Sequence, residues 1–277
     1  MERCKMIIST GKTGIQSIIM YKGNFFMSLL IGLVSLYVQI IFWPAVYGVD
    51  LSKISSYNGA TISGYTLGQM LAYSVMVYML QYGNSAINIG NIIKNDVMSG
   101  NLNTSLIRPY NYLFYRVILN LSHQIISFTL SAFTAFVLIW LSREWIALPD
   151  SIINILLLIP AAFISYAISF LISCILGLIS FWILETSTLH VFLNGIMMIM
   201  SGSVFPLDFV SGSGGVILRF LPFSYITFFP IQLYLSNNID NKIFFDFIVG
   251  IIWIVILVLI VKSMWNKGLR RYSAYGG

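Results

Sequence analysis

Residues 151–184 read SIINILLLIPAAFISYAISFLISCILGLISFWIL, with no Asp, Glu, Lys, Arg or His. A helix of about 20 apolar residues already crosses the hydrocarbon of a bilayer. This run has residues to spare, so it must tilt or bend, and Pro160 near its start supplies a point of bending. Working outward, residues 23–49, 54–93, 117–142 and 247–261 also lack Asp, Glu, Lys and Arg, and His123 is the one ionisable imidazole in these stretches. With 58% hydrophobic and 9% charged residues and a mean hydropathy of +0.88, a soluble globular domain is excluded. The expected fold is all-α: one polytopic transmembrane domain over residues 1–277, with spans at 24–48, 64–89, 113–141, 152–183, 188–203 and 244–264.

Six crossings put both termini on one side of the membrane. On that side lie Arg3, Lys5, Lys12, Lys22, Lys94, Arg108, Arg116, Lys262, Lys267, Arg270 and Arg271, leaving only Lys53, Arg143, Arg219 and Lys242 of the 15 basic residues on the other. By the positive-inside rule the termini are cytoplasmic. Aromatic residues mark the interfaces: Trp43, Tyr47, Trp140 and Trp145 at outer ends, Tyr112, Phe114, Tyr115 and Trp265 at inner ones. The first span is too long for a signal-peptide core and reads as retained. Cys4 and Cys174 lie too far apart in sequence and setting for a disulfide framework or metal cluster.

A proton-driven carrier needs ionisable groups within the membrane, and these long apolar stretches contain no carboxylate. Gly11-Lys12-Thr13 imitates the end of a phosphate loop, but Met6 stands where that motif requires glycine and no strand precedes it. The energy source is therefore expected on a partner, and the chain is expected to bind no cofactor and to catalyse nothing.

Three segments lie outside the spans. Residues 5–22 place Ile7, Ile8, Ile15, Ile18 and Ile19 on one helical face, which predicts an interfacial helix; a plain basic flank is the competing reading. Residues 91–109 form a polar cytoplasmic connector into which Ile89, Ile92, Ile93, Val97 and Leu102 run at helix-like spacing, with Leu106 and Ile107 beyond and Gly100 and Pro109 as breakers. Apolar residues on a cytoplasmic connector predict a docking surface. Residues 204–232 are apolar yet interrupted by Pro206, Gly212, Gly214, Gly215 and Pro222, which predicts short re-entrant helices rather than one span. No convincing internal repeat relates the two halves, as an inverted-repeat carrier would require.

Together these segments resemble the permease subunit of a type-2 ABC exporter, in its branch of short stand-alone bacterial permeases. The resemblance rests on Asp96-x3-Gly100-x-Leu102-x3-Leu106-x-Arg108-Pro109-x2-Tyr112, then Ser201-Gly202-x2-Phe205-Pro206-Leu207 and Leu221-Pro222-Phe223-x-Tyr225-x4-Pro230. It covers essentially the whole chain. It implies two copies of a separate ABC ATPase carrying the ATP and Mg, a second permease (a second copy or a sister chain), and residence in the bacterial plasma membrane without nucleic-acid contact. Carried over, Ile93, Asp96, Val97, Gly100, Leu102, Leu106, Arg108 and Pro109 are the ATPase-docking residues. Phe205, Pro206, Leu221, Pro222 and Phe223 belong to the outer gate. The sparse polar lining of the spans favours a hydrophobic or amphipathic cargo such as a drug, antimicrobial peptide, lipid or glycan.

His123, among Ser122, Gln124 and Ser127, reads either as a neutral interhelical hydrogen-bonding group or as a pathway residue. Asn84 and Asn88, four apart on the expected second span, share a face and are also assigned to the pathway or to helix pairing. Glu185 suits the positive start of the fifth span. The alternative function is a stand-alone ion-coupled or facilitative carrier. A lipid-modifying enzyme would need a fuller constellation than Glu185 with His190.

Overall fold

The computed structural model describes residues 22–50, 53–54, 57, 59, 61–108, 110–149, 151–183, 187–236 and 241–272. The expected interfacial helix therefore lies outside the described residues except for Lys22, as do Pro109 and Glu185. The described residues are all-helical apart from one isolated bridge between Ile62 and Tyr65. Three helices are long and apolar enough to cross a membrane: 112–141, 152–181 and 243–272. Two shorter apolar helices occupy Leu30–Val46 and Thr188–Met200.

Helix α1 is Lys22–Val46 and α2 is Leu67–Tyr82. A capping box starts α2: Thr66 Oγ1 accepts from the Gln69 amide while the Gln69 side chain accepts from the Thr66 amide. The second apolar stretch then departs from the continuous helix expected over 64–89. It breaks at Gly83, where Asn84 turns extended (φ −96°, ψ 97°) and its side chain accepts from the Ala86 amide at 3.0 Å. Glycine is a poor helix former, and an asparagine side chain offers the backbone an alternative partner, so the pair ends the helix. A 3₁₀ turn, Ser85–Asn88, leads into α3, Ile89–Met98.

Gly100, in the left-handed region at φ +78°, turns the chain into the short α4, Asn101–Leu106. Helix α5, Tyr112–Leu141, starts where Asn111 Oδ1 accepts from the Phe114 amide at 3.2 Å. Helix α6, Ile152–Leu178, continues through Pro160 and ends in a 3₁₀ turn, Ile179–Phe181. After α7, Ser187–Met200, come a 3₁₀ turn Leu207–Phe209, α8 at Ser213–Phe220, a second turn Pro222–Tyr225, and α9 at Phe228–Leu235. Helix α10, Asn241–Tyr272, closes the fold.

Helix α6 is the axis of the bundle. Half of its most apolar stretch is buried within the chain, against 11% in α5 and α10. It packs against α10, α3 and α9, whereas α2 packs between α1 and α5. Two ends follow from the chain directions. At the Asp96 end α3 finishes, α5 begins and α10 finishes; at the Asp208 end α2, α6 and α10 begin and 207–235 lies. Each end has its own apolar cluster: Ile89, Ile93, Leu102, Phe181 and Trp265 at the first, Trp43, Met70, Tyr73, Leu207 and Ile231 at the second.

Candidate functional site

At the Asp96 end, α3 is pressed onto α6 by a close backbone approach. A Cβ built on Gly177 would lie 2.7 Å from the Gly90 carbonyl oxygen and 2.9 Å from Ile93 Cβ. Only glycine at both positions permits this spacing. Ser173 of α6 links the two, accepting from the Gly90 amide at 3.1 Å and donating to the Ile87 carbonyl at 2.9 Å. The preceding turn is held on its other side by α5. Gln124 Oε1 accepts from the Ser85 amide at 2.9 Å, Asn120 Nδ2 donates to the Ser85 carbonyl at 3.2 Å, and Tyr166 of α6 donates to Asn120 Oδ1 at 2.8 Å. These side chains satisfy backbone groups that the helix break leaves open, which an apolar surrounding requires.

Beyond α3, Asp96 accepts from Arg116 and from the Tyr112 hydroxyl, while Arg116 Nε donates to that hydroxyl at 3.2 Å. The side chains of this pair are only 18% and 15% exposed. Tyr112 stacks on Trp265 of α10, centroid to centroid 5.3 Å and 1° from parallel. The α3–α4 elbow is thus tied to α5 and α10. At its tip the apolar residues do not pack inward: Met98 is 49%, Leu106 42% and Ile107 85% exposed.

At the opposite end, one carboxylate gathers four elements. Asp208, in the 3₁₀ turn, accepts from Arg219 of α8, from the hydroxyl of Tyr65 just before α2, and from Gln232 Nε2 of α9 at 2.7 Å. Gln232 also donates to the Tyr65 hydroxyl. Tyr73 of α2 donates to the Gly202 carbonyl, and Ser165 of α6 to that of Ile226. Segment 202–235 is therefore fastened to α2 and α6 by polar side chains as well as by its apolar residues.

A family model described as ABC-2 family transporter protein matches residues 33–276. The chain belongs to the ABC-2 transporter family. No curated protein matches it. An ABC-2 chain is a multi-pass membrane protein, the permease of an ABC-type transporter, and works with an ABC ATPase subunit.

Within this permease the docking residues named from sequence separate into two groups. Ile93 and Leu102 are fully buried, and Val97 nearly so, in the chain's own cluster. Asp96 is engaged by Arg116 and Tyr112. Gly100 shapes the turn, and Leu106 and Arg108 are exposed. The gate residues likewise pack internally: Pro206 and Pro222 are buried, Phe205 stacks on Phe209 at 6.4 Å, and Leu221 and Phe223 are half-buried. Asn84 and Asn88 do not share a face, because the helix breaks between Tyr82 and Ser85. Asn84 is buried as a cap and Asn88 is exposed. His123 is half-buried on α5. The polar partners the sequence reading missed are Ser85, Asn120, Tyr166 and Ser173 at the break, Arg116 for Asp96, and Tyr65, Arg219 and Gln232 for Asp208. The Gly83-Asn84 pair was the signal that could have located the break.

Proposed function

We propose that this permease spans the plasma membrane of a bacterium six times, with both termini in the cytoplasm. It pairs with a second permease, a copy of itself or a sister chain, and with two ATPase subunits that carry the ATP and Mg. It exports a hydrophobic or amphipathic compound. The observation that carries this reading is the exposed apolar tip, Met98, Leu106 and Ile107, on a helical elbow whose base is fixed by Asp96, Arg116 and Tyr112. An exposed Ile at the end of a tethered elbow fits a groove in a partner. Ile107, Leu106 and Arg108 form the proposed contact surface, while Ile93, Val97 and Leu102 hold the elbow in shape from within.

The close contact of α3 with α6 at Gly90 and Gly177 supports a route for transmission. ATP-driven closure of the ATPase pair pushes the elbow; α3 and the end of α6 move together, and the turn at Gly83–Asn88 takes up the change relative to α2. A 3₁₀ turn within a helical run is a common place for such a hinge. The ATP-bound partner must favour one arrangement over the other, since only differential affinity shifts a conformational equilibrium.

The test is affinity purification of the tagged chain from its native membrane. An ABC ATPase in roughly equal amount is expected with the unaltered chain and is lost from the Ile107→Asp chain, whose melting temperature stays unchanged. An ATPase that remains bound to Ile107→Asp and Leu106→Asp alike overturns the docking assignment, and recovery of the chain alone favours a stand-alone carrier.

A further inference from the structure

Helix α10 changes character once along a single face. Residues 247–261 carry no charged side chain, and the next residue is Lys262. Ile252, Val255 and Leu259 recur every three or four positions and stay exposed, at 50%, 55% and 62%. That seam continues into Lys262 and Asn266, with Lys267 and Arg271 on the same outward half of the helix, and all four are exposed. Among the described residues Lys262, Lys267 and Arg271 form no ion pair. Arg270 stands between them but is already engaged within the chain.

The opposite half of these turns is packed and fixes the display. Trp265 is stacked on Tyr112 of α5. Gly268 lets α10 close on the end of α6, since a Cβ built there would collide with the Phe181 ring. Tyr272 meets that ring edge-on at 5.8 Å. The last turns of α10 are therefore part of the bundle, and their outward cations are held in place. Depth decides what those cations meet. At 1.5 Å per residue, 247–261 spans about 22 Å, short of the roughly 30 Å of hydrocarbon in a bilayer. Lys262 is thus drawn to the edge of the hydrocarbon, where a lysine extends its ammonium to the phosphates. Lys267 lies about 7 Å further along the axis, within the headgroup layer, and Arg271 about 13 Å along, at the outer margin of that layer. On the topology proposed above, this edge is the cytoplasmic one.

We propose that this strip binds an anionic phospholipid of the cytoplasmic leaflet. The phosphate rests on Lys262 and Lys267 with Arg271 beyond it, and an acyl chain lies along Leu259, Val255 and Ile252. An apolar seam that turns basic at headgroup depth matches a single molecule with an apolar tail and a negative head, and anionic lipids attract such clusters. The choice of leaflet rests on the topology proposed above. Binding in detergent depends on neither that topology, the ATPase nor transport, so either reading can fail without the other.

The test is native mass spectrometry of the full-length chain released from detergent micelles, titrated with dioleoyl-phosphatidylglycerol and, separately, with dioleoyl-phosphatidylcholine. The first phosphatidylglycerol is expected to bind roughly twentyfold more tightly than phosphatidylcholine. Lys262→Gln and Lys267→Gln each weaken that binding roughly fivefold, and together they abolish the preference. Both positions are exposed, so the melting temperature stays unchanged. Replacing both by arginine keeps the preference, and so does Arg143→Gln at the other end of the bundle. Equal affinity for the two lipids, or a preference that the double glutamine change leaves intact, overturns the proposal. So does displacement of the lipid by glycerol phosphate alone, which would make this a site for free phosphate. Loss of the ATPase from the double variant, with the lipid preference retained, would assign the face to the partner protein instead.

Discussion

The two ends of the bundle use the same device, an aspartate held by an arginine and a tyrosine hydroxyl, but build different things with it. At one end Asp96, Tyr112 and Arg116 come from the close of α3 and the first turns of α5. They fix the base of an elbow and leave its apolar tip exposed. At the other, Asp208, Arg219, Tyr65 and Gln232 come from four separate elements. They fasten several short helices and leave a cavity of about 330 Å³ beside them. On the proposed function the first arrangement is a compact lever, and the second frames a space. The lever rests on backbone contact between α3 and α6, whereas the short helices of 202–235 are anchored to α2 and α6 through side chains.

That contrast is sharpest for glycine. Gly177→Ala puts a methyl group 2.7 Å from the Gly90 carbonyl and 3.0 Å from its Cα, so α3 and α6 must separate. Overpacking against backbone costs about 3 kcal/mol. A large fall in melting temperature is expected, together with loss of the ATPase, because the elbow shifts with α3. At the Asp208 end, Gly214→Ala meets only Val210 Cγ1 at 3.8 Å within helix α8. There the change is expected to be neutral or to stabilise by about 0.5 kcal/mol through restriction of the unfolded chain. Parallel melting curves of the two variants check the pair; equal losses would show that the ends are not differently built.

The sequence made the elbow legible and its internal wiring illegible. Apolar residues on a polar connector, with Gly100 between them, pointed to 91–109 as a docking element. Spacing alone did not separate Leu102, which is fully buried, from Ile107, which is 85% exposed. That distinction depends on where α6 and α10 lie. The same limit applies to Asp96: Arg116 stands twenty positions away across a turn, and no local pattern couples them. Asn84 and Asn88 were placed on one face because hydropathy continues through Gly83. Apolar character reports burial in lipid or protein and is blind to a helix break at which the Ser85 amide and carbonyl are satisfied by Gln124 and Asn120. At the Asp208 end, the prolines and glycines made the short helices legible. Tyr65 and Gln232 were not, since each is an isolated polar residue on a different element.

Removing the aspartates probes the two ends with a smaller change. Asp96→Ala leaves Arg116 with little exposure and, among the described residues, with the hydroxyl and ring of Tyr112 for partners. Stranding a partly buried charge in this way costs about 2–3 kcal/mol. The Asp208 pair is more open, at 40% and 22% exposure, so solvent screens Arg219 and the cost falls to about 1–2 kcal/mol. The expected signatures differ in place as well as size. Hydrogen exchange in Asp96→Ala rises in α3 and α4, while in Asp208→Ala it rises across α8 and the turns on either side and leaves α3 protected. Uniform change along the chain in either variant would mean that the two networks are coupled through α6 rather than local.

The finest distinction lies in the two tyrosine hydroxyls. Tyr112→Phe keeps the ring on Trp265, and Asp96 retains Arg116, so the loss is expected to be small. Both hydroxyls donate to an aspartate and accept from a second side chain, but that of Tyr112 accepts from Arg116 one turn along its own helix, whereas that of Tyr65 accepts from Gln232 and joins the loop before α2 to α9. Interhelical hydrogen bonds in membrane proteins average about 0.6 kcal/mol, and Tyr65→Phe removes one such donor while depriving Gln232 of an acceptor. A double-mutant cycle of Tyr65→Phe with Gln232→Leu isolates the joint contribution. A coupling near 0.6 kcal/mol is expected there, and a coupling close to zero for Tyr112→Phe with Trp265→Phe, whose contact is through the ring faces and does not use the hydroxyl. If the second cycle gives the larger value, the Asp96 end is held by its hydroxyl after all. The lever would then owe its rigidity to polar wiring rather than to the packing of α3 on α6.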